Sequence, residues 1–185
     1  KGISALLVPA DAPGVSYGKK EDKMGWNAQP TRMVTFDNVR VPVANRLGAE
    51  GQGFAIAMEG LDGGRINIAT CSIGTAQQAL EEATAYVQER KQFDTAIADF
   101  QATQFKLADK LTELVAARQM VRLAASKLDN KDAQASTYCA MAKRFATDAG
   151  FNVCNDALQL YGGYGYIKEY PMERHVRDTR VQQIL

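Results

Sequence analysis

The stretch "QLYGGYGYIKEYP", residues 159–171, decides the fold class, because two readings of its glycines lead to different architectures. Glycines that follow a strand and open a helix cradle phosphate on free backbone N–H groups, and would make the chain an α/β nucleotide binder. Glycines that follow a helix instead end it, since a residue without Cβ takes up the left-handed C-cap conformation at little cost. Upstream of Gln159, from about Ala133 to Leu160, the apolar residues Ala135, Tyr138, Ala142, Phe145, Ala149, Val153 and Ala157 recur at three- and four-residue spacing. The glycines therefore close a helix, and the fold is read as mainly α.

Two more segments carry the same signature. The first runs from roughly Gly53 to Glu89, with Phe54, Ala57, Met58, Leu61, Ile68, Cys71, Ala76, Leu80, Ala83 and Val87 as its apolar positions and Gly63 and Gly64 interrupting it. The second, about Phe100 to Leu128, carries Leu107, Leu111, Leu114, Val115, Val121, Ala124 and Leu128. Connections as short as "KQFDTAIAD" and "DNKD" make consecutive helices neighbours, which predicts an up-down antiparallel helical bundle. Residues 1–48 differ: "ISALLV" and "TRMVTFDNVRVPV" are short β-branched segments broken by turn residues. Two or three strands do not make an independent sheet, so they are read as part of a small β-domain. The expected organisation is thus 1–48 in the β-domain and 49–185 in the bundle, whose fourth helix is expected partly or wholly beyond Leu185. An incomplete bundle leaves an apolar face open and predicts a homo-oligomer.

Composition narrows the function. The 185 residues are 46% hydrophobic, with 22 Lys plus Arg against 21 Asp plus Glu, so no global basic field favours nucleic acid or an anionic membrane. No apolar run is long enough for membrane insertion. Cys71, Cys139 and Cys154 are widely spaced and odd in number, which favours reduced, packed thiols. The single histidine, His175, has no nucleophile elbow near it and is read as a surface or helix-capping residue; a hydrolase or a zinc site is disfavoured.

Two local features can carry chemistry. In "GLDGGRINIA", residues 60–69, adjacent mid-helix glycines cost roughly 1 kcal/mol each relative to alanine. Either the helix tolerates a kink, or Gly63 and Gly64 admit a ligand to the backbone while Asp62 and Arg65, on one face, point toward it. In "ERKQF", residues 89–93, the cations either complement a helix C-terminus or place Arg90 on a phosphate, with Gln92 and Phe93 flanking a flat ring.

Three stretches carry a resemblance over essentially the whole chain: "MVTFDNVRVPVANRLGAEGQGF", "LDGGR" leading to "ERKQFDTAIADFQATQFKLADK", and "QLYGGYGYIKEYPMERHVRD". The chain resembles the acyl-CoA dehydrogenases, from the second half of their middle β-domain into the C-terminal helical domain. The third stretch fits the family's signature through Gln159, Gly162, Gly163, Gly165, Glu169, Arg174 and Asp178. "GWNAQPTR" at 25–32 and "GGRINIA" look most like the isobutyryl-CoA (short branched-chain) dehydrogenase branch.

The resemblance implies FAD as cofactor. By position, Arg90, Gln92, Phe93, Phe100 and Gln101 match flavin contacts, and Gln159, Leu160, Tyr161, Gly162 and Gly163 match a stretch that approaches the FAD of a neighbouring subunit. Asp62, Gly63, Gly64 and Arg65 match the part of the acyl-CoA site lining the pantetheine and acyl region. The chemistry implied is α,β-dehydrogenation of a thioester, with electron-transfer flavoprotein as acceptor, a homotetramer as the assembly, and a bacterial cytoplasm or mitochondrial matrix as compartment. The family's usual base is a glutamate at the residue after Leu185. One branch supplies it at the position of Gly64, which cannot serve, so no catalytic residue is assigned and the chain alone is expected to be inactive and to retain little FAD. A non-catalytic helical oligomerisation module and an oxidase-type relative remain as alternatives.

Overall fold

The computed structural model describes residues 2–185 and divides them into two compact units. One holds the chain up to Lys23 together with Asn27–Leu61, and the other holds Met24–Trp26 and Asp62–Leu185.

In the first unit, β1 (Ala5–Leu6) pairs antiparallel with β4 (Arg46–Leu47), Ala5 opposite Leu47. β2 (Val15–Lys20) pairs antiparallel with β3 (Arg32–Phe36) in a register that sets Val15 against Phe36 and shifts between Tyr17 and Lys20. Every residue of β3 is exposed, so this hairpin lacks a covered face of its own.

Four helices dominate the chain: α1 (Gly53–Glu89), α2 (Gln101–Asp129), α3 (Ala135–Leu160) and α4 (Met172–Ile184). α1 runs through Gly63 and Gly64 without the interruption expected of them. The fourth helix was expected partly or wholly beyond Leu185, whereas the short polar helix α4 lies within the chain; its buried Met172 and half-buried Val176 make too short an apolar stripe to announce it. None of the helices is long and apolar enough to cross a membrane.

In the second unit, side-chain bonds join each helix to its neighbour. Arg118 of α2 donates to Gln77 of α1 (2.7 Å), Lys106 near the start of α2 meets Asp156 near the end of α3 (3.0 Å), and Gln183 near the end of α4 donates to Asp148 of α3 (2.9 Å). α1 and α2 run antiparallel, as do α2 and α3, and α3 and α4. This is the up-down order the short connections predict.

The core is built largely of alanine. Ala69, Ala76, Ala79 and Ala83 of α1, Ala117 and Ala124 of α2, and Ala142, Ala146, Ala149 and Ala157 of α3 are all buried. Alanine is both the best helix former and small enough to let helix axes approach. α3 passes close to α1: Ser72 Oγ donates to the Ala146 carbonyl (3.3 Å), and a Cβ at Gly150 would lie 2.2 Å from the Ser72 hydroxyl oxygen. The larger residues of the expected stripes, Leu111, Val115 and Phe145, stay exposed, so the true core stripe is narrower and made of smaller side chains than the spacing suggested.

Two expectations about single residues are corrected. His175 is not at the surface: it is buried in α4 with Nε2 3.5 Å from Glu82 Oε2 of α1. Cys139 and Cys154 are packed thiols as expected, and burial pushes Cys154 up to about 12, but Cys71 is exposed because it falls on the outer side of α1.

Met24–Trp26 is held by α4. Arg177 forks onto Glu173 through Nε and Nη2, donates from Nη1 to the Met24 carbonyl (2.6 Å), and its neighbour Asp178 accepts the Trp26 backbone N–H. Gly25 fits because a Cβ there would come within 2.7 Å of Arg177 backbone and of Asp178 Oδ1.

Two outcomes follow. Gly150→Ala is expected to cost about 2 kcal/mol by overpacking the α1–α3 contact, read as a lower urea midpoint at unchanged slope. The Arg177 hydrogen bond holds the Glu173 carboxyl below its ordinary value of 4.5. Its contribution is therefore present above pH 4.5 and lost as pH falls through the lower folded value. Melting curves should show wild type above Glu173→Gln at pH 7, with the gap closing as the pH falls below 4.5.

Candidate functional site

The end of α1 and the end of α3 meet over a patch of tyrosines. Tyr86 of α1 stacks on Tyr161 at the close of α3, with ring centroids 4.0 Å apart and planes 12° from parallel. Tyr170 meets both rings edge-on, at 6.3 and 5.5 Å, and Tyr164 leans on Tyr170 at 5.4 Å. Such pairs contribute about 0.5–1.5 kcal/mol each beyond their buried area, so the patch is a rigid floor. Tyr161 Oη also donates to the Glu82 carbonyl (3.3 Å), tying α3 back to α1. Burial raises the phenols of Tyr86 and Tyr161, and Arg90 opposes the rise at Tyr86, so both are neutral donors near neutral pH.

One helical turn beyond Tyr86, Arg90 sets its guanidinium 5.4 Å from the Tyr164 ring centroid, a cation–π contact that aims the charge without neutralising it. Above this floor lies a cleft of about 630 Å³. The structure brings seven of the predicted cofactor residues into its lining: Arg90, Gln92, Gln159, Leu160, Tyr161, Gly162 and Gly163. Tyr86, Ile97, Tyr164 and Ile167 also line it and were not singled out from sequence. Tyr86 had a signal, since it stands four residues before Arg90 on one helix face; Tyr164 and Ile167 depend on how the chain turns after α3.

Phe93, Phe100 and Gln101 are not in that lining. Phe93 and Asp94 form the tip of a two-residue hairpin between β5 (Lys91–Gln92) and β6 (Thr95–Ala96), both with positive φ, 53° and 60°. Phe93 is 92% exposed. Phe100 flanks the start of α2, where its carbonyl accepts the N–H groups of Thr103 (2.9 Å) and Gln104 (3.1 Å), and Gln101 is the first, exposed residue of that helix.

The glycines of "YGGYGY" divide by the reason for each. Gly162 has φ +58°, a conformation that side chains disfavour. At Gly165 a Cβ would lie 2.3 Å from the Leu158 carbonyl oxygen. Gly163 has neither reason: its φ is ordinary and a Cβ would meet nothing within 4 Å, yet it lines the cleft. The same holds for Gly63 and Gly64 in the middle of α1. At these three positions, as at Gly60 and Gly74 of α1, the fold itself gives no account of the missing side chain.

Beside Gly63 and Gly64, Arg65 Nη1 donates to Asp62 Oδ1 (2.6 Å), and Ser136 of α3 donates its hydroxyl to Asp62 Oδ2. Asp62 is buried, whereas the Arg65 side chain is 39% exposed. Of this predicted pair it is Arg65 that faces outward, while Asp62 is engaged within the protein.

Known proteins share the sequence pattern and the fold of this chain. A family model described as "Acyl-CoA dehydrogenase, C-terminal domain" matches residues 51–185. The chain is 58% identical over 185 residues to a mitochondrial isobutyryl-CoA dehydrogenase of Dictyostelium discoideum, covering all of this chain and 44% of that protein. It superposes on the structure of butyryl-CoA dehydrogenase from Megasphaera elsdenii with a TM-score of 0.96 at 45% identity, covering 99% of this chain and 48% of that one. An acyl-CoA dehydrogenase complexed with FAD from Bacillus anthracis gives a TM-score of 0.91 at 32% identity, over all of this chain and 35% of that one. The chain thus spans less than half the length of these relatives.

Alanine substitutions separate the two kinds of glycine. Gly165→Ala is expected to lose about 2 kcal/mol or more. Gly163→Ala should be close to neutral, and Gly64→Ala should gain up to about 1 kcal/mol from helix propensity. Urea titration of the three variants checks the order.

Proposed function

Because the chain belongs to the acyl-CoA dehydrogenase family, we propose that the protein it represents is a flavin-dependent oxidoreductase that removes the α- and β-hydrogens of a short or branched acyl-CoA thioester, with isobutyryl-CoA as substrate. In this reading residues 1–48 belong to the middle β-domain and 49–185 to the C-terminal bundle. The observation that carries the reading is the cleft over the tyrosine floor, where a cation, a polar amide and an unexplained glycine converge.

The residues present fit FAD. Arg90 offers charge-assisted hydrogen bonds to a phosphate, Gln92 an amide, and Gly163 a bare backbone that a bulky nucleotide can approach. Bound FAD supplies the acceptor for the β-hydrogen and its electron pair. The chain's own residues do the rest of the work assigned to them: the tyrosine floor excludes water, Arg90 and Gln92 orient the nucleotide, and Arg65 binds an oxygen of the thioester's pantetheine arm. The α-proton goes to a glutamate following Leu185 at the end of α4, consistent with Gly64 having no side chain to accept it.

Exposure supports assembly as a homotetramer. Phe93 at the hairpin tip and Phe105, Leu111 and Val115 on α2 leave apolar surface bare in the single chain. The acceptor for the reduced flavin is an electron-transfer flavoprotein, and the compartment a mitochondrial matrix or bacterial cytoplasm.

In the whole protein, Arg90→Ala should weaken flavin retention by about ten- to a hundredfold, the loss expected for a charge-assisted hydrogen bond. Gly163→Asp should do so at least as strongly with an unchanged far-ultraviolet circular dichroism spectrum. Flavin absorbance per subunit after gel filtration is the measurement, and wild-type flavin content in both variants would rule out the cleft as the flavin site.

A further inference from the structure

We propose that Ser136 is a positioning residue for acyl-CoA recognition, acting through Asp62 to hold the Arg65 guanidinium at the open Gly63–Gly64 surface; this rests on the acyl-CoA reading of that surface. The chain of contacts is short and directional. Ser136 donates to one oxygen of Asp62, and Arg65 donates to the other. With both carboxylate oxygens engaged, Asp62 cannot rotate toward a ligand without breaking one of these bonds, so its role is to fix Arg65.

Three features support the arrangement. Ser136 lies in the first turn of α3, where the partial positive charge of the helix end favours a carboxylate. Asp62 is buried while the Arg65 side chain is 39% exposed, so the rigid member of the pair is inside and the donor fork reaches outward. Cys139, about one helical turn from Ser136, is fully buried close to the pair: burial and the Asp62 charge raise its thiol, and Arg65 lowers it. Arg65 alone could sample many rotamers; pinned by a carboxylate that is itself pinned by a second helix, it presents one fork to an amide or thioester oxygen of the substrate.

Ser136 is itself exposed, so its removal leaves packing intact and the test reads function. In the whole enzyme, Ser136→Ala is expected to raise KM for isobutyryl-CoA by about five- to tenfold with kcat within about twofold and flavin content unchanged. Ser136→Thr, which keeps the hydroxyl, should restore the wild-type KM. Arg65→Ala is run alongside. A wild-type KM in Ser136→Ala together with a raised KM in Arg65→Ala overturns the role of Ser136 and leaves the acyl-CoA surface standing. A wild-type KM in Arg65→Ala overturns both. A Ser136→Ala melting temperature lower by several degrees, with KM unchanged, assigns the hydroxyl to folding alone and refutes the proposal.

Discussion

The contact on which the rest of the structure depends is the close passage of α3 along α1. Ser72 and Gly150 mark a point of close approach, and buried alanines lie along both helices on either side of it. Helices packed on small residues have little freedom to slide, because any shift drives a side chain into backbone within a fraction of an ångström. The two helices run parallel here, so each end of the seam joins a different pair of residues: Asp62 with Ser136 at one end, Tyr86 with Tyr161 at the other. Twenty-four residues of helix separate Asp62 from Tyr86, roughly 36 Å. A single packing interface thus fixes both the surface assigned to the thioester and the cleft assigned to the flavin.

Much of this was legible in the sequence and the rest was not, for definite reasons. Helices α1, α2 and α3 were read within a few residues of their ends, because their apolar periodicity is sustained and their boundaries are marked by glycine or by short polar connections. The bounds of α4 were not assigned, because a helix whose buried residues are mostly polar, His175, Thr179 and Gln182 beside Met172, shows little apolar stripe. His175 was placed at the surface because a lone histidine in a polar helix carries no sign of the Glu82 that faces it from α1. In the cleft, motif and charge located Arg90, Gln92 and the glycine stretch, whereas Tyr164 and Ile167 depend on the turn that follows Gly162. Ser136 gave no signal: its partner is 74 positions away in sequence, and nothing in "QASTY" distinguishes it.

The glycines show how a structure can separate folding from function without any bound molecule. Gly162 answers to the backbone and Gly165 to the Leu158 carbonyl, so the fold alone would retain them. Gly163, Gly63 and Gly64 answer to nothing inside the chain, and two of them sit in a helix interior where alanine would be preferred by about 1 kcal/mol. Gly163 lines the cleft that holds Arg90, and Gly63 and Gly64 adjoin Arg65, while Gly60 and Gly74 of α1 are equally open.

The hairpin tip carries a different lesson. Two-residue turns with positive φ at both positions usually hold asparagine and glycine, yet here they hold Phe93 and Asp94. The chain accepts local strain in order to carry a benzyl ring almost wholly in water. Its backbone is already confined by the turn, so whatever surface covers that ring gains apolar contact while freezing only two side-chain torsions. The tip therefore gathers backbone strain and exposed apolar area into one residue.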